Sequence, residues 1–263
     1  MISEKSKFEL RHVLYCDLLG FSKYAKSEFF EADRCFRLFR QLDELIEDAS
    51  RHIGEDDQDD VFGRKPDYIV KPEAIYCSDS IVISTPATNI DAMWLFESAA
   101  RIQNGICTHG FLLRGSIVTG NLYHSGNTIF GPAIVEAVAK DKSGGAPVIV
   151  IDKDSLNYFC LASSDEDQEI VKIRKHQLVT EDDNDAPYID PFWMSKIHAN
   201  HETIPTKTRN NLDCWRSLIE MGLKSNNTNI LGKYTWMANR FNKVICNKAS
   251  NIKPICLSEL CKY

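Results

Sequence analysis

The chain has 263 residues, 43% of them hydrophobic and 26% charged, with a formal net charge of -6. That composition belongs to a globular protein with a sizeable core, and its acidity argues against a nucleic-acid binder, whose footprint is a basic face. The nine cysteines form no C-x-x-C pair, the start (MISEKSKFEL) is charged and polar rather than signal-like, and no apolar stretch has membrane length; a reducing cytoplasm, with no membrane and no zinc ribbon, is the expected setting.

In chain order, "RHVLYC" (11–16) predicts a first strand that ends at Asp17 and runs into a Gly20 turn. Residues 29–53 predict one or two helices, with Phe36, Phe39, Leu42, Leu45, Ile46, Ala49 and Ile53 recurring at helical steps. The acidic stretch from Gly54 to Tyr68 predicts a loop without the ligand spacing of a calcium site. "EAIYCSDSIVIS" (73–84) predicts a hairpin turning at Ser78, Asp79 and Ser80. A helix follows over 90–109. "GFLLRGSIVTG" predicts a strand, and "NLYHSGNTIFG" a second hairpin with its turn at Gly126-Asn127. Pro132 opens a helix, where proline is tolerated. "APVIVID" is a last short strand, the acidic stretches within 160–185 suggest a surface loop, and helix returns after "PYIDPFW" to about residue 245. Cys16 and Cys77 sit in apolar runs and are expected in the core, and His124 is expected at the surface near its turn. The order predicts an α+β domain with helices packed on a mixed sheet.

Asp17 and Asp79 fall at two turns. If strand one pairs with the hairpin, both turns emerge at one end of the sheet and two carboxylates face each other. Such a pair repels unless one takes a proton or a cation intervenes. Mg²⁺ or Mn²⁺ suits one or two carboxylates plus phosphate oxygens, and two such ions about 4 Å apart serve phosphoryl chemistry. Either acid alone could equally be an ordinary turn residue capping its own backbone.

"YCDLLGFS" resembles the first metal motif of the class III nucleotidyl cyclases: an apolar strand, Asp, two or three apolar or small residues, Phe, then Ser or Thr. "YCSDSIVIS" resembles their hairpin motif. "LLRGSIVTGNLYHSGNTIFGPAIVEAVAKDK" is similar to their glycine-containing strands followed by the catalytic helix. The ordered set spans roughly residues 10 to 152 and looks closest to the pyrimidine cyclases of bacterial Pycsar antiphage systems. "YIDPFW" and "GKYTWMANRFN" also look like the C-terminal part of that subgroup.

The resemblance implies a ferredoxin-like cyclase core, a mixed and mainly antiparallel sheet flanked by helices, over residues 1–185. A helical C-terminal extension, 186–263, would pack on the same domain. It implies two Mg²⁺ or Mn²⁺ ions held by Asp17, the Leu18 carbonyl and Asp79. Backbone amides from Leu19, Gly20, Phe21 and Ser22 would hold the β- and γ-phosphates, with Phe21 packing the loop. The family's site lies between two subunits, so a homodimer is implied.

Departures from the family pattern narrow the substrate. The positions that read purines hold Ile75 and Thr128, neither the Lys/Asp pair of adenylate-type members nor the Glu/Cys pair of guanylate-type ones. A pocket narrowed for one ring fits a pyrimidine, and the aromatics around Phe36 and Phe39 are a candidate wall for it. The family's transition-state Asn and Arg fall at Val135 and Ala139, which carry no charge. Arg114, with Lys140 and Lys142, are the nearby cations; a mid-strand Arg114 could instead pair with a core acid. No His pairs with a nucleophile, so covalent catalysis is not expected. The expected activity is a pyrimidine nucleotide cyclase turning UTP or CTP into the 3′,5′-cyclic mononucleotide, a messenger for a cyclic-nucleotide-sensing effector in antiphage defence. The alternatives are a purine cyclase and a catalytically inactive cyclase-like binding module.

Overall fold

The computed structural model describes residues 8–50, 71–142, 145–161, 165–181, 186–197, 204–246 and 252–257. The expected acidic loop at 54–68 lies outside them, as do Ile53 and the side chains of Leu45 and Ala49.

The first half alternates strand and helix: β1 (Glu9–Leu19), α1 (Phe21–Ala25), α2 (Ala32–Ser50), β2 (Glu73–Cys77), β3 (Ser80–Pro86), α3 (Asn89–Thr108) and β4 (Leu112–Ser125). Strands β2, β3, β1 and β4 lie side by side in that order, each antiparallel to its neighbour. This is the ferredoxin-like arrangement, two interleaved βαβ units. Next come β5 (Thr128–Phe130), α4 (Pro132–Lys142), β6 (Ile149–Ile151), α5 (Lys153–Cys160), α6 (Asp165–Leu178), β7 (Val179–Thr180) and β8 (Tyr188–Ile189). β6 joins β4 in parallel, making the sheet mixed, and β8 slots between β6 and β7. The chain ends in α7 (Trp193–Ile197), α8 (Thr206–Gly222) and α9 (Thr228–Cys246). None of the described helices is long and apolar enough to cross a membrane.

Side chains alternate across a strand, and the two faces of β1 are used differently. Leu14, Cys16 and Leu18 join Ile81, Ile83, Leu113 and Ile117 in the main core under α2 and α3. Val13 and Tyr15 face the other way, toward Ala133 and Ile134 of α4. A third cluster gathers α8 and α9 around Trp215, Met237 and Phe241, and reaches the sheet at Leu19 and Leu112. Full burial of each large apolar side chain is worth about 1.5–3 kcal/mol. Two polar groups near the sheet are satisfied locally: Thr88 caps α3 by accepting from the Asp91 amide, and His12 bridges the Thr119 hydroxyl and the Thr88 carbonyl.

Several expectations need correction. The acidic residues of 165–169 open α6, because Ile170, Val171, Arg174 and Leu178 give that segment an inward face; the expected loop otherwise falls on 162–164 and 182–185, outside the described residues. β8 belongs to the sheet, so the sheet extends past residue 185 and the C-terminal part is not wholly helical. β4 runs on through Gly120 to Ser125 as one strand. Phe36 is 72% exposed; Leu38 is buried beside the expected Leu42, with Phe39 and Ile46 packed against the core. Cys77 is exposed at the hairpin, whereas Cys16 is buried. His124 is buried, its Nδ1 2.7 Å from the Ser84 hydroxyl.

Candidate active site

β1 extends two residues beyond Asp17, so Asp17 is not the end of its strand. It sits opposite Ser80 on one side and Arg114 on the other. The β2–β3 turn closes beside it. Ser78 takes the left-handed conformation (φ 59°), which compresses the turn to two residues. The Leu18 amide donates to the Asp79 carbonyl at 2.8 Å, stitching the turn to the strand end. Asp79's carboxylate accepts from the Ser22 hydroxyl at 2.9 Å. Two loops far apart in sequence are thereby joined around two acids.

Between them the chain turns at Gly20, whose φ of 88° an L-residue rarely adopts. Phe21 follows, buried against Phe111 at 5.9 Å between ring centroids. Leu19, expected among the phosphate-holding residues, is the last residue of β1 and pairs with Leu112. Gly20 makes the turn, and Phe21 and Ser22 open α1, with Ser22 bonded to Asp79.

Asp17 faces the α4 side of the sheet. There Arg114 donates to Asp141 from Nε at 2.8 Å and from Nη2 at 3.2 Å. Asp141 is only 4% exposed and is a residue that reading the sequence missed. Its signal was available: Ala133, Ala137 and Asp141 follow one another at four-residue steps, and all three turn inward. Val135 and Ala139 lie on the opposite, exposed side of α4. Lys140 pairs with Glu136 at 3.3 Å, an ordinary helix-surface bridge.

The electrostatics are those of crowded acids. Burial pushes the Asp17 carboxyl above its usual range, and the Asp79 and Asp141 carboxylates push it further; Arg114 and Lys233 offset part of this. Tyr15 is raised by burial, then by the same three acids, and its hydroxyl lies 3.2 Å from that of Ser80. Among the described residues no group of three or more His, Cys, Asp or Glu has the arrangement of a metal cage. Asp17 and Asp79 fit a divalent ion in another way: they are crowded carboxylates, and neither has an ion-pair partner within 4 Å among the described residues. Such a pair leaves coordination positions for phosphate oxygens.

Ile75 and Thr128 are placed differently. Ile75 pairs with Val82, which pairs with Tyr15, so Ile75 shares the Asp17 face two strands away. Thr128 is exposed at the other end of β4, in a hairpin whose Gly126 amide donates to Glu73. The fold does not bring Thr128 to Asp17 within one chain. Phe39 packs on Tyr76 on the α2 side of the sheet, so neither it nor exposed Phe36 walls the Asp17 site.

No family model and no curated protein matches the chain. Among solved structures it is similar to the adenylyl cyclase CyaB from P. aeruginosa, at 12% identity over 58% of this chain and 81% of that one, with a TM-score of 0.44. It is also similar to a class III adenylyl cyclase-like ATP-binding protein from Pseudomonas aeruginosa, at 13% identity over 91% and 70%, with a TM-score of 0.35. Likenesses this distant carry no argument about chemistry, which rests on the residues themselves.

Proposed function

We propose that the chain is a metal-dependent nucleotidyl cyclase acting on UTP or CTP. The observation that carries the reading is the joining of Asp17 and Asp79 at one sheet end, with Ser22 and the Gly20 turn beside them. Mg²⁺ or Mn²⁺ would be held by Asp17, Asp79 and the Leu18 carbonyl, and would supply charge neutralisation on the triphosphate. The 3′-hydroxyl attacks the α-phosphorus, the bond to the β-phosphate breaks, and pyrophosphate leaves. Ser22 orients the Asp79 carboxylate through its hydrogen bond. The turn at Gly20 presents amides of Phe21 and Ser22 as phosphate donors. Arg114, held by Asp141, adds positive charge opposite Asp17.

Ile75 and Thr128 support a pyrimidine because neither offers the charged purine contacts of related cyclases. Their separation in one chain supports a site shared by two copies, in which Thr128 serves the nucleotide of the other subunit. The cyclic product would signal to an effector in antiphage defence. A second reading, an inactive nucleotide-binding module, is favoured by one observation: Val135 and Ala139 are aliphatic and face outward. Incubation of the protein with each of the four nucleoside triphosphates and Mn²⁺, with products identified by mass, separates these readings. UTP or CTP should be cyclised at least about tenfold faster than ATP or GTP, equivalent to ~1.4 kcal/mol in transition-state binding. Predominant cyclic AMP or cyclic GMP would overturn the pyrimidine assignment, and binding without turnover would favour the inactive module.

A further inference from the structure

The C-terminal helix α9 shares a hydrophobic cluster with the strand ends next to the site. Asp17 and Leu19 share one face of β1, and Arg114 and Leu112 share the same face of β4. Leu112 belongs to the cluster that α8 and α9 build with Trp215, Met237 and Phe241, and Leu19 packs against it, as do Leu231 and Tyr234 of α9. The cluster therefore meets the sheet one step beyond the Asp17–Arg114 rung, on the face that also carries Asp141 of α4. A close approach of α8 to α9 fixes the helix there: the Tyr234 ring lies where a Cβ on Gly222 would be, 2.2 Å from that position.

Lys233, next to Tyr234, is half-buried. Burial lowers its ammonium and Arg114 lowers it further, whereas Asp141 and Asp17 act to keep it charged. It therefore lies within electrostatic reach of the site. It makes no ion pair within 4 Å with a described residue. The other cation there, Arg114, is already engaged on two nitrogens by Asp141. Long lysine side chains reach across several ångströms and bind phosphate as mobile point charges.

We propose that Lys233 is a substrate-binding residue, its ammonium taking a phosphate oxygen of the nucleoside triphosphate held at Asp17 and Asp79 of the same chain. The role rests on the cyclase reading above. It gives the site a positive charge that the outward-facing Val135 and Ala139 do not provide. It also makes α9 part of the substrate site.

The test is calorimetric binding to the full-length parent, Lys233→Met and Lys233→Arg, in Mn²⁺. The probes are α,β-methylene UTP and CTP, the corresponding nucleoside monophosphates, and Mn²⁺ alone. Lys233→Met should weaken triphosphate binding at least about tenfold, change monophosphate binding less than about threefold, and leave binding of Mn²⁺ alone no weaker. Lys233→Arg should restore triphosphate affinity to within about threefold of the parent. A helix that is merely packing would not separate triphosphate from monophosphate in this way. Unchanged triphosphate binding by Lys233→Met, beside a parent that binds, overturns the role of Lys233 alone. A parent that binds no triphosphate at all overturns the cyclase reading and this role with it.

Discussion

At the scale of single residues, Asp17 and Asp141 are both acids in partly dry surroundings, and the structure uses them in opposite ways. Asp17 has acid neighbours and no tight counterion, so its charge is held against repulsion. Asp17→Asn should therefore abolish turnover and Mn²⁺ binding while the melting temperature stays level or rises; calorimetry and a thermal melt on one preparation check both, and a variant that turns over at the parental rate would exclude the metal role. Asp79→Asn should also abolish turnover without unfolding the chain. Arg114→Met should do the reverse to stability. It strands Asp141, which is almost wholly buried, and breaking such a pair costs about 3–5 kcal/mol. Equilibrium denaturation should show that loss, and Arg114→Lys should recover part of it. The pairing of Asp17 with Asp79 was legible because an apolar run leading into a glycine turn and a polar hairpin tip are local patterns, although the strand runs two residues past Asp17. Asp141 was hidden between Lys140 and Lys142, whose charges drew the eye to the helix surface. Lys233 had no local signal: only the packing of α9 on Leu19 and Leu112 brings it to the acids.

At the scale of elements, two contacts hold the C-terminal helices. Gly222→Ala would drive a Cβ into the Tyr234 ring, and overpacking of this kind costs about 1–3 kcal/mol. Denaturant midpoints should show that loss, with substrate affinity falling too because α9 is displaced. Asp190 is the second contact. It follows β8, accepts from the Thr180 hydroxyl of β7 at 2.8 Å, pairs with Lys196 of α7 at 2.8 Å, and is bonded by Arg240 of α9. Burial alone would raise this carboxyl, but Lys196 and Arg240 outweigh burial and hold it below the usual value. Its folded pKa thus lies below its unfolded one, near ~3.9. The stability it confers is present in full above about pH 4 and is lost as pH falls through the folded pKa. Denaturation series from pH 6 to pH 2 should show a steep acid limb in the parent and a shallower one in Asp190→Asn, which should also be weaker near neutrality. α6 was not legible because its acidic opening resembles a solvated loop, while its inward face depends on α5 and α7 being in place.

At the scale of the whole molecule, the βαββαβ core was readable because its elements carry local signals: apolar runs bounded by turns in β1 and β3, three- and four-residue steps in α2 and α3. The strands that lengthen the sheet were not, since β7 and β8 are two residues each and have no pattern to read. Assembly is a further expectation at this scale. Phe8 and Phe130 lie edge to face at 5.6 Å with about half of each exposed, beside the hairpin that carries Thr128. Sedimentation over a dilution series should find a homodimer, with turnover falling as it dissociates; full activity in a monomer at every concentration would exclude a shared site. The placement of β8 bears on synthesis. A nascent chain that has reached residue 180 but not 188 has β6 and β7 but not the strand that belongs between them, so two sheet edges stay open on the ribosome. Arg240, which holds the following Asp190, emerges later still. The first half can fold as it appears, but the sheet is complete only once β8 has been made, which makes the interval between those moments the one in which the chain is most exposed to aggregation.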